Sequence, residues 1–191
     1  KARHLFAVAL HLLVAEERGL VPWRRAADRP PLAIASCGNA ALAAGTIAAA
    51  IQWPISVFVP EWADESVVAL LTELGATIVR CPRRDDDPPG DPCVARFRSE
   101  VRTGAVPFTV QGPENAWCLD GGRTIGWELA VQFERGHSTP LDRLFVQVGG
   151  GALAACAWQG AGGHGGVPTL HAVQTEGCAP LARAWELVQR L

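Results

Sequence analysis

The chain contains a single lysine, Lys1, among its 17 basic residues, and the other sixteen are arginines. Arginine can replace lysine on a solvated surface, but its guanidinium stays protonated and cannot form a Schiff base as an amine can. A lone lysine at the end of a chain can also be an accident of residue choice, so its meaning depends on the motifs around it. Lys1 is therefore a candidate catalytic residue that other parts of the sequence must support.

Other absences exclude whole classes of protein. The formal net charge of −2 gives no basic surface for nucleic acid, and no apolar run approaches the roughly 18 residues of a membrane helix. The cysteines form no C-x-x-C pair, so we expect reduced thiols and no structural zinc site. We therefore expect a cytoplasmic protein without a metal site. The six cysteines are Cys37, Cys81, Cys93, Cys118, Cys156 and Cys178.

Methionine is absent, including at position 1. Residues 1–18 form a helical pattern that no capping residue precedes, and residues 180–191 form another that ends without a stop signal. We therefore expect this chain to be an internal part of a longer enzyme, incomplete at both ends.

Between these ends, apolar strands alternate with helices, which predicts an α/β fold of parallel sheets flanked by helices. Ligands of such folds bind beyond the carboxyl ends of the strands. Segments 23–31 and 83–92 are rich in charge and proline, and we expect both to be exposed loops. The predicted strands are 32–36, 55–59, 76–80, 144–148 and 169–174, and the predicted helices are 39–51, 64–74, 92–103, 121–135, 151–160 and 180–191.

Two glycine-containing turns lie where a predicted strand leads into a predicted helix. Ser36-Cys37-Gly38-Asn39 opens an alanine-rich helix, and free backbone N–H groups there favour an anion such as a carboxylate. Gly149-Gly150-Gly151-Ala152 has the geometry that presents several N–H groups to a phosphate. Each turn is a weak signal alone, but Lys1 and the two turns in this order form a much stronger one.

With these residues the chain resembles the fold-type II family of pyridoxal 5′-phosphate enzymes, which includes threonine synthase, threonine and serine dehydratases, the tryptophan synthase beta subunit and cysteine synthase. Lys1-Ala2-Arg3 is similar to the end of the family's Ser-Phe-Lys-x-Arg motif. Ser36–Asn39 is similar to its Ser-x-Gly-Asn loop, and Gly149–Leu153 to its phosphate loop. The resemblance implies a two-lobed fold, with a small lobe over residues 1–110 and part of a large lobe over 111–191.

The resemblance also implies a role for each motif. Lys1 would be the Schiff-base lysine and the catalytic base, Asn39 would contact the ring hydroxyl, and the glycine turn would bind the phosphate. It further implies a small amino-acid substrate and a homodimer for the full-length enzyme. The implied cofactor-binding residues are Lys1, Asn39, Gly149, Gly150, Gly151 and Ala152, and the implied substrate-binding residues are Ser36, Cys37, Gly38 and Asn39.

The motifs divide between two kinds of lyase. The Gly149–Leu153 loop is closer to that of the dehydratases, whereas Cys37–Ala41, Phe58–Glu61 and Gly121–Ile125 are closer to threonine synthase. We therefore expect a threonine synthase-like enzyme, with a serine or threonine ammonia-lyase as the alternative. A cysteine synthase-like enzyme and a non-catalytic protein of the same fold are lesser alternatives. We expect the 191-residue chain to be inactive when it is isolated from the rest of the enzyme.

Overall fold

The computed structural model describes residues 1–163 and 166–190. The chain forms two compact units, Lys1–Gly121 and Gly122–Leu191, and the predicted lobe boundary at residues 110 and 111 stays a prediction. The first unit contains α1 (Ala2–Glu17), β1 (Leu32–Ala35), α2 (Asn39–Ala50), β2 (Ile55–Val59), α3 (Glu65–Glu73), β3 (Thr77–Arg80), α4 (Pro92–Arg102), β4 (Val106–Pro107) and the start of α5 (Cys118–Gly136). The second unit contains the rest of α5, β5 (Arg143–Gln147), α6 (Ala152–Ala161), β6 (Thr169–Val173) and α7 (Pro180–Val188).

A four-stranded parallel sheet, in the order β3-β2-β1-β4, forms the centre of the first unit. Its strands alternate their side chains between two apolar layers. Leu32 and Ile34 face the layer that holds α1, α2 and α3, whereas Ala33 faces the layer that holds α4. Burial of both faces explains why β1 is a continuous apolar run and why Ser56 is the one polar residue of β2, as expected of parallel strands covered by helices.

Small residues let α2 lie close to its neighbours. Ala41, Ala44 and Ala48 are buried in the layer between α2 and the sheet. Gly45 faces α3 so closely that an added Cβ would lie 3.0 Å from the Leu71 Cδ2 atom. The alanine-rich composition, which predicts a helix, therefore also fixes where the N-terminus of α2 lies relative to the end of β1.

Residues 24–28 of the segment between α1 and β1 are exposed as predicted, but Trp23 and Arg29 at either side of them are partly buried. The Trp23 ring packs edge-on against Trp53 at a centroid distance of 5.8 Å. The Arg29 guanidinium lies 4.4 Å from the centre of the Trp53 ring and binds the Glu16 carboxylate at 2.6 Å. The sequence of this segment predicts a polar loop, because Glu16 and Trp53, which contact Trp23 and Arg29, are not adjacent to them in the sequence.

The second unit pairs β5 with β6 in parallel, with Arg143 opposite Thr169 and Val146 opposite Ala172. Helices α5 and α6 cross at glycine residues. A Cβ added at Gly126 would overlap the Ala157 carbonyl oxygen, and one added at Gly160 would overlap the Arg123 carbonyl oxygen. Only residues without a side chain permit this close approach of two helix backbones.

The predicted helices and the five predicted strands are confirmed to within a few residues at their ends. Segment 83–91 is an exposed loop as predicted, and Pro92 begins α4. Strand β4 is the element that the sequence pattern did not show. It contains only Val106 and Pro107, and a proline is tolerated there because β4 lies at the edge of the sheet.

Across residues 1–163 and 166–190, no helix is long and apolar enough to cross a membrane. Within the same residues, no group of three or more His, Cys, Asp and Glu side chains is placed to hold a metal ion.

The Arg29–Glu16 pair should make stability depend on pH. Hydrogen bonds from Arg29 hold the pKa of Glu16 below its usual value of 4.5. Because the folded-state pKa is the lower one, the pair stabilises the fold above pH 4.5, and this contribution is lost as the pH falls through the folded-state pKa. Glu16→Gln should therefore lower the free energy of unfolding by about 1 to 3 kcal/mol at neutral pH, and by much less in acid.

Urea unfolding followed by tryptophan fluorescence measures this difference. Glu17→Gln is the matched control, because Glu17 is exposed on the same helix. Equal stability of the two variants at neutral pH would contradict the role given to the ion pair.

Candidate active site

Parallel pairing brings two distant segments together at one edge of the first sheet. The Phe108 N–H donates to the Ala33 carbonyl at 2.8 Å, and the Ser36 N–H donates to the Phe58 carbonyl at 3.2 Å. Because β4 pairs with β1, residues 109–111 lie beside Ser36 and Asn39, where β1 and β4 end. This carboxyl edge is where ligands of parallel α/β sheets bind.

A cleft of about 390 Å³ lies at this edge. Three of the predicted site residues line it, although they are far apart in sequence. Lys1 is the residue immediately before α1, Ser36 follows β1, and Asn39 begins α2. The fold of the first unit therefore places an exposed amine, a hydroxyl and an exposed amide in one cleft. The lining residues are Lys1, Ile34, Ala35, Ser36, Asn39, Ala40, Thr109, Val110 and Gln111.

The remaining residues of the predicted substrate loop are placed differently. Cys37 lines a second cleft, of about 460 Å³, which also includes Ala35 and Ser36. Gly38 precedes α2, and its carbonyl accepts a hydrogen bond from the Leu42 N–H at 3.1 Å. The Ser36–Asn39 loop is thus shared between two clefts, with Ser36 in both.

Thr109 and Gln111 are polar cleft residues that the sequence did not reveal. Thr109 is buried, and its hydroxyl accepts a hydrogen bond from the Gln111 N–H at 3.3 Å. The Asn115 side chain donates to the Pro107 carbonyl at 2.7 Å and fixes the segment that carries both residues. Recognition of β4 as an edge strand would have identified them, because polar residues would then follow a strand directly beside β1.

Hydrogen bonds hold Val148, the residue before the glycine turn of the second unit, and the glycines themselves have open space beside them. The Val148 N–H donates to the Val173 carbonyl at 2.8 Å, and the Gln174 side chain donates to the Val148 carbonyl at 3.0 Å. Gly151 precedes α6 with a φ of +84°, a conformation that favours glycine. A Cβ added at Gly149, Gly150 or Gly151 would meet no atom within 4 Å.

This arrangement suits an anion. The first N–H groups of a helix have no partner within the helix, and the helix dipole favours negative charge there. Ala152, at the start of α6, belongs to the same first turn. The predicted phosphate-binding residues therefore form one loop in the second unit, with open space beside the Cα atoms of its three glycines.

A family model described as pyridoxal-phosphate dependent enzyme matches residues 1–190 of this chain. No curated protein matches the chain in sequence. Solved structures with the same fold include the serine racemase of maize, which is 20% identical over 82% of this chain with a TM-score of 0.66. Threonine deaminase isoform 2 of Solanum lycopersicum is 17% identical over 89% of this chain, with a TM-score of 0.67.

O-acetyl serine sulfhydrylase isoform 3 of Entamoeba histolytica is 16% identical over 95% of this chain, with a TM-score of 0.71. The chain spans about half the length of these structures, with coverage of 44%, 46% and 50% of the maize, Solanum and Entamoeba chains respectively. At these identities the structural similarity establishes the fold alone.

Helix α5 begins so close to α1 that it helps to position Lys1. A Cβ added at Gly121 would overlap the Arg3 carbonyl oxygen and lie 2.9 Å from the Ala7 Cβ. Gly121→Ala should therefore push the first turn of α1 away and lower the free energy of unfolding by about 1 to 3 kcal/mol.

Gly136→Ala is the control, since Gly136 lies in the same helix and its added Cβ would meet no atom within 4 Å. Urea unfolding of both variants checks the prediction. An unchanged stability for Gly121→Ala would show that α1 and α5 are not packed so closely.

Proposed function

Because this chain belongs to the pyridoxal-phosphate dependent enzyme family, we propose that it carries cofactor and substrate residues of an enzyme that eliminates or replaces a group at the β or γ carbon of an amino acid. The meeting of Lys1, Ser36 and Asn39 in one cleft is the observation that supports this function. Lys1 provides the only side-chain amine of the chain. Such a reaction requires an amine with polar neighbours, and Lys1 lies among polar residues at the edge of the sheet.

Each unit, taken by itself, contains residues that fit one part of pyridoxal phosphate. The Lys1 amine can bind the aldehyde covalently, and the Asn39 amide can donate to the ring hydroxyl. The N–H groups of Gly149 to Ala152 can bind the phosphate, and the open space over Gly149, Gly150 and Gly151 leaves room for it.

When bound, pyridoxal phosphate supplies an electron sink for bond breaking at the substrate α-carbon. The Lys1 amine takes the proton from that carbon, which an arginine could not do because its guanidinium stays protonated. Lys1 is therefore both the point of attachment and the general base.

Polar residues around Lys1 bind and orient the substrate. The Ser36 hydroxyl, the Gln111 amide and the backbone N–H groups at the start of α2 are suited to the substrate carboxylate. Thr109 fixes the Gln111 backbone through its hydrogen bond at 3.3 Å. Ile34 and Val110 give the cleft an apolar wall, and less water in the cleft strengthens each polar contact.

Within this class of reaction, threonine synthase-like chemistry is the first candidate. Cys37–Ala41, Phe58–Glu61 and Gly121–Ile125 resemble threonine synthases, and the first two of these segments meet in the structure. Cys37, Pro60 and Glu61 line the same second cleft.

A serine or threonine ammonia-lyase is the second candidate. The Gly149–Leu153 loop resembles that of the dehydratases, and a threonine deaminase is among the solved structures of the same fold. The two candidates differ in the leaving group, because the synthase releases phosphate from a γ-carbon and the ammonia-lyase releases a β-hydroxyl as water.

The role of Lys1 can be tested by trapping. We expect pyridoxal phosphate to be attached at the Lys1 Nζ atom after borohydride reduction, digestion and peptide mapping. Lys1→Arg should abolish this label, because no other side-chain amine is present. A label on another residue would contradict the assignment.

The substrate is tested on the complete protein that contains this sequence. We expect phosphate release from O-phosphohomoserine to exceed every other activity in a panel with threonine, serine, and O-acetylserine plus sulfide. Dominant keto acid formation from threonine or serine would establish the ammonia-lyase instead. Dominant cysteine formation would refute both candidates, and cofactor attachment without turnover would favour the non-catalytic alternative.

A further inference from the structure

The second cleft contains thiols that the proposed reaction does not use. It lies at the carboxyl edge of the first sheet and has a volume of about 460 Å³. Cys37, Cys81 and Cys93 line it, together with residues that follow β2 and β3. Cys81 and Cys93 are buried, with exposed fractions of 3% and 5%, whereas Cys37 is half-buried.

The main chain holds Cys81 and Cys93 in place independently of their sulfur atoms. The Cys81 N–H donates to the Val59 carbonyl at 2.8 Å, which fixes the end of β3 against β2. The Cys93 N–H donates to the Asp91 carboxylate at 2.8 Å, which fixes the start of α4. Both side chains enter the same apolar cluster, where Phe58 and Phe97 pack edge to face at 6.5 Å.

The two thiols are neighbours within this cluster. Burial, together with the adjacent Cys81 thiol and Asp91 carboxylate, raises the pKa of Cys93 to about 12. Cys93 is therefore a protonated thiol at neutral pH. The Cys81 thiol donates to the Val79 carbonyl at 3.3 Å, a weak bond that its oxidation would release.

We propose that Cys81 and Cys93 are a reversible oxidation site, in which hydrogen peroxide converts the pair into an intramolecular disulfide. The Cys81 sulfur attacks a peroxide oxygen, the O–O bond breaks, and the thiol proton leaves with the released hydroxide as water. The Cys93 sulfur then attacks the resulting sulfenic acid, the S–O bond breaks, and a second water leaves. The thiols lose two electrons and two protons in total, and the peroxide gains them.

The loop between the two cysteines is held by its own contacts, with the Arg84 N–H donating to Asp87 at 2.8 Å and Arg96 donating to the Pro82 carbonyl at 2.9 Å. A disulfide would tie the end of β3 to the start of α4. It would also fix one wall of the cleft that Ser36 shares with the candidate active site.

Peptide mapping of the full chain tests the site. After treatment with hydrogen peroxide, trypsin should release residues 81–83 linked to residues 85–96, and dithiothreitol should separate them. The link should raise Tm by about 3 to 10 °C, because it constrains the unfolded chain. In Cys93→Ser, Cys81 should stop at the sulfenic acid, which dimedone traps.

Cys178→Ser is the matched control. Cys178 is exposed, so its removal should suppress disulfides between chains and leave the link between residues 81–83 and 85–96 intact. The proposal is overturned if wild-type protein treated with peroxide lacks the linked peptides, or if Cys81 links mainly to another cysteine. Because mapping uses the wild-type chain, this result does not depend on the folding of any variant.

Discussion

The hydrogen-bonded pairing of β4 with β1 is the interaction on which the candidate active site depends. The Phe108 N–H to Ala33 carbonyl bond extends this short pairing and brings Thr109 and Gln111 to the end of β1. Without it, the loop at Ser36 would have no polar neighbour on that side. The close packing of α2 and the approach of α5 to α1 then position Asn39 and Lys1 at the same edge.

Much of this arrangement could be predicted from sequence, because it rests on local patterns. Apolar runs predicted β1 and β2, alanine predicted α2, and glycine turns predicted where α2 and α6 begin. Thr109 and Gln111 could not be predicted, because β4 contains only two residues and owes its existence to pairing with β1. The anchoring of Trp23 and Arg29 was missed for the same reason, since Glu16 and Trp53 meet them only in the fold.

The functional groups suited to the cofactor and the substrate are divided between the two units of the chain. The first unit contains the amine, the hydroxyl and the amides suited to an aldehyde and a carboxylate, and the second unit contains a glycine loop suited to a phosphate. Arginine cannot substitute for the amine, and the φ of +84° at Gly151 favours glycine. The thiols that line the second cleft are independent of this division, since their proposed oxidation would change the wall of that cleft and leave Lys1 unaltered.

The proposal that Lys1 binds the aldehyde and Gly149 to Gly151 bind the phosphate is tested most directly by comparing two ligands. The ratio of the Kd for pyridoxal to the Kd for pyridoxal phosphate would be measured for the wild type and for Gly150→Asp. We predict that the wild type prefers the phosphate form by at least about tenfold. Gly150→Asp should lose this preference, because its carboxylate repels a phosphate of about two negative charges. An equal preference in both proteins would contradict the assignment of the phosphate site.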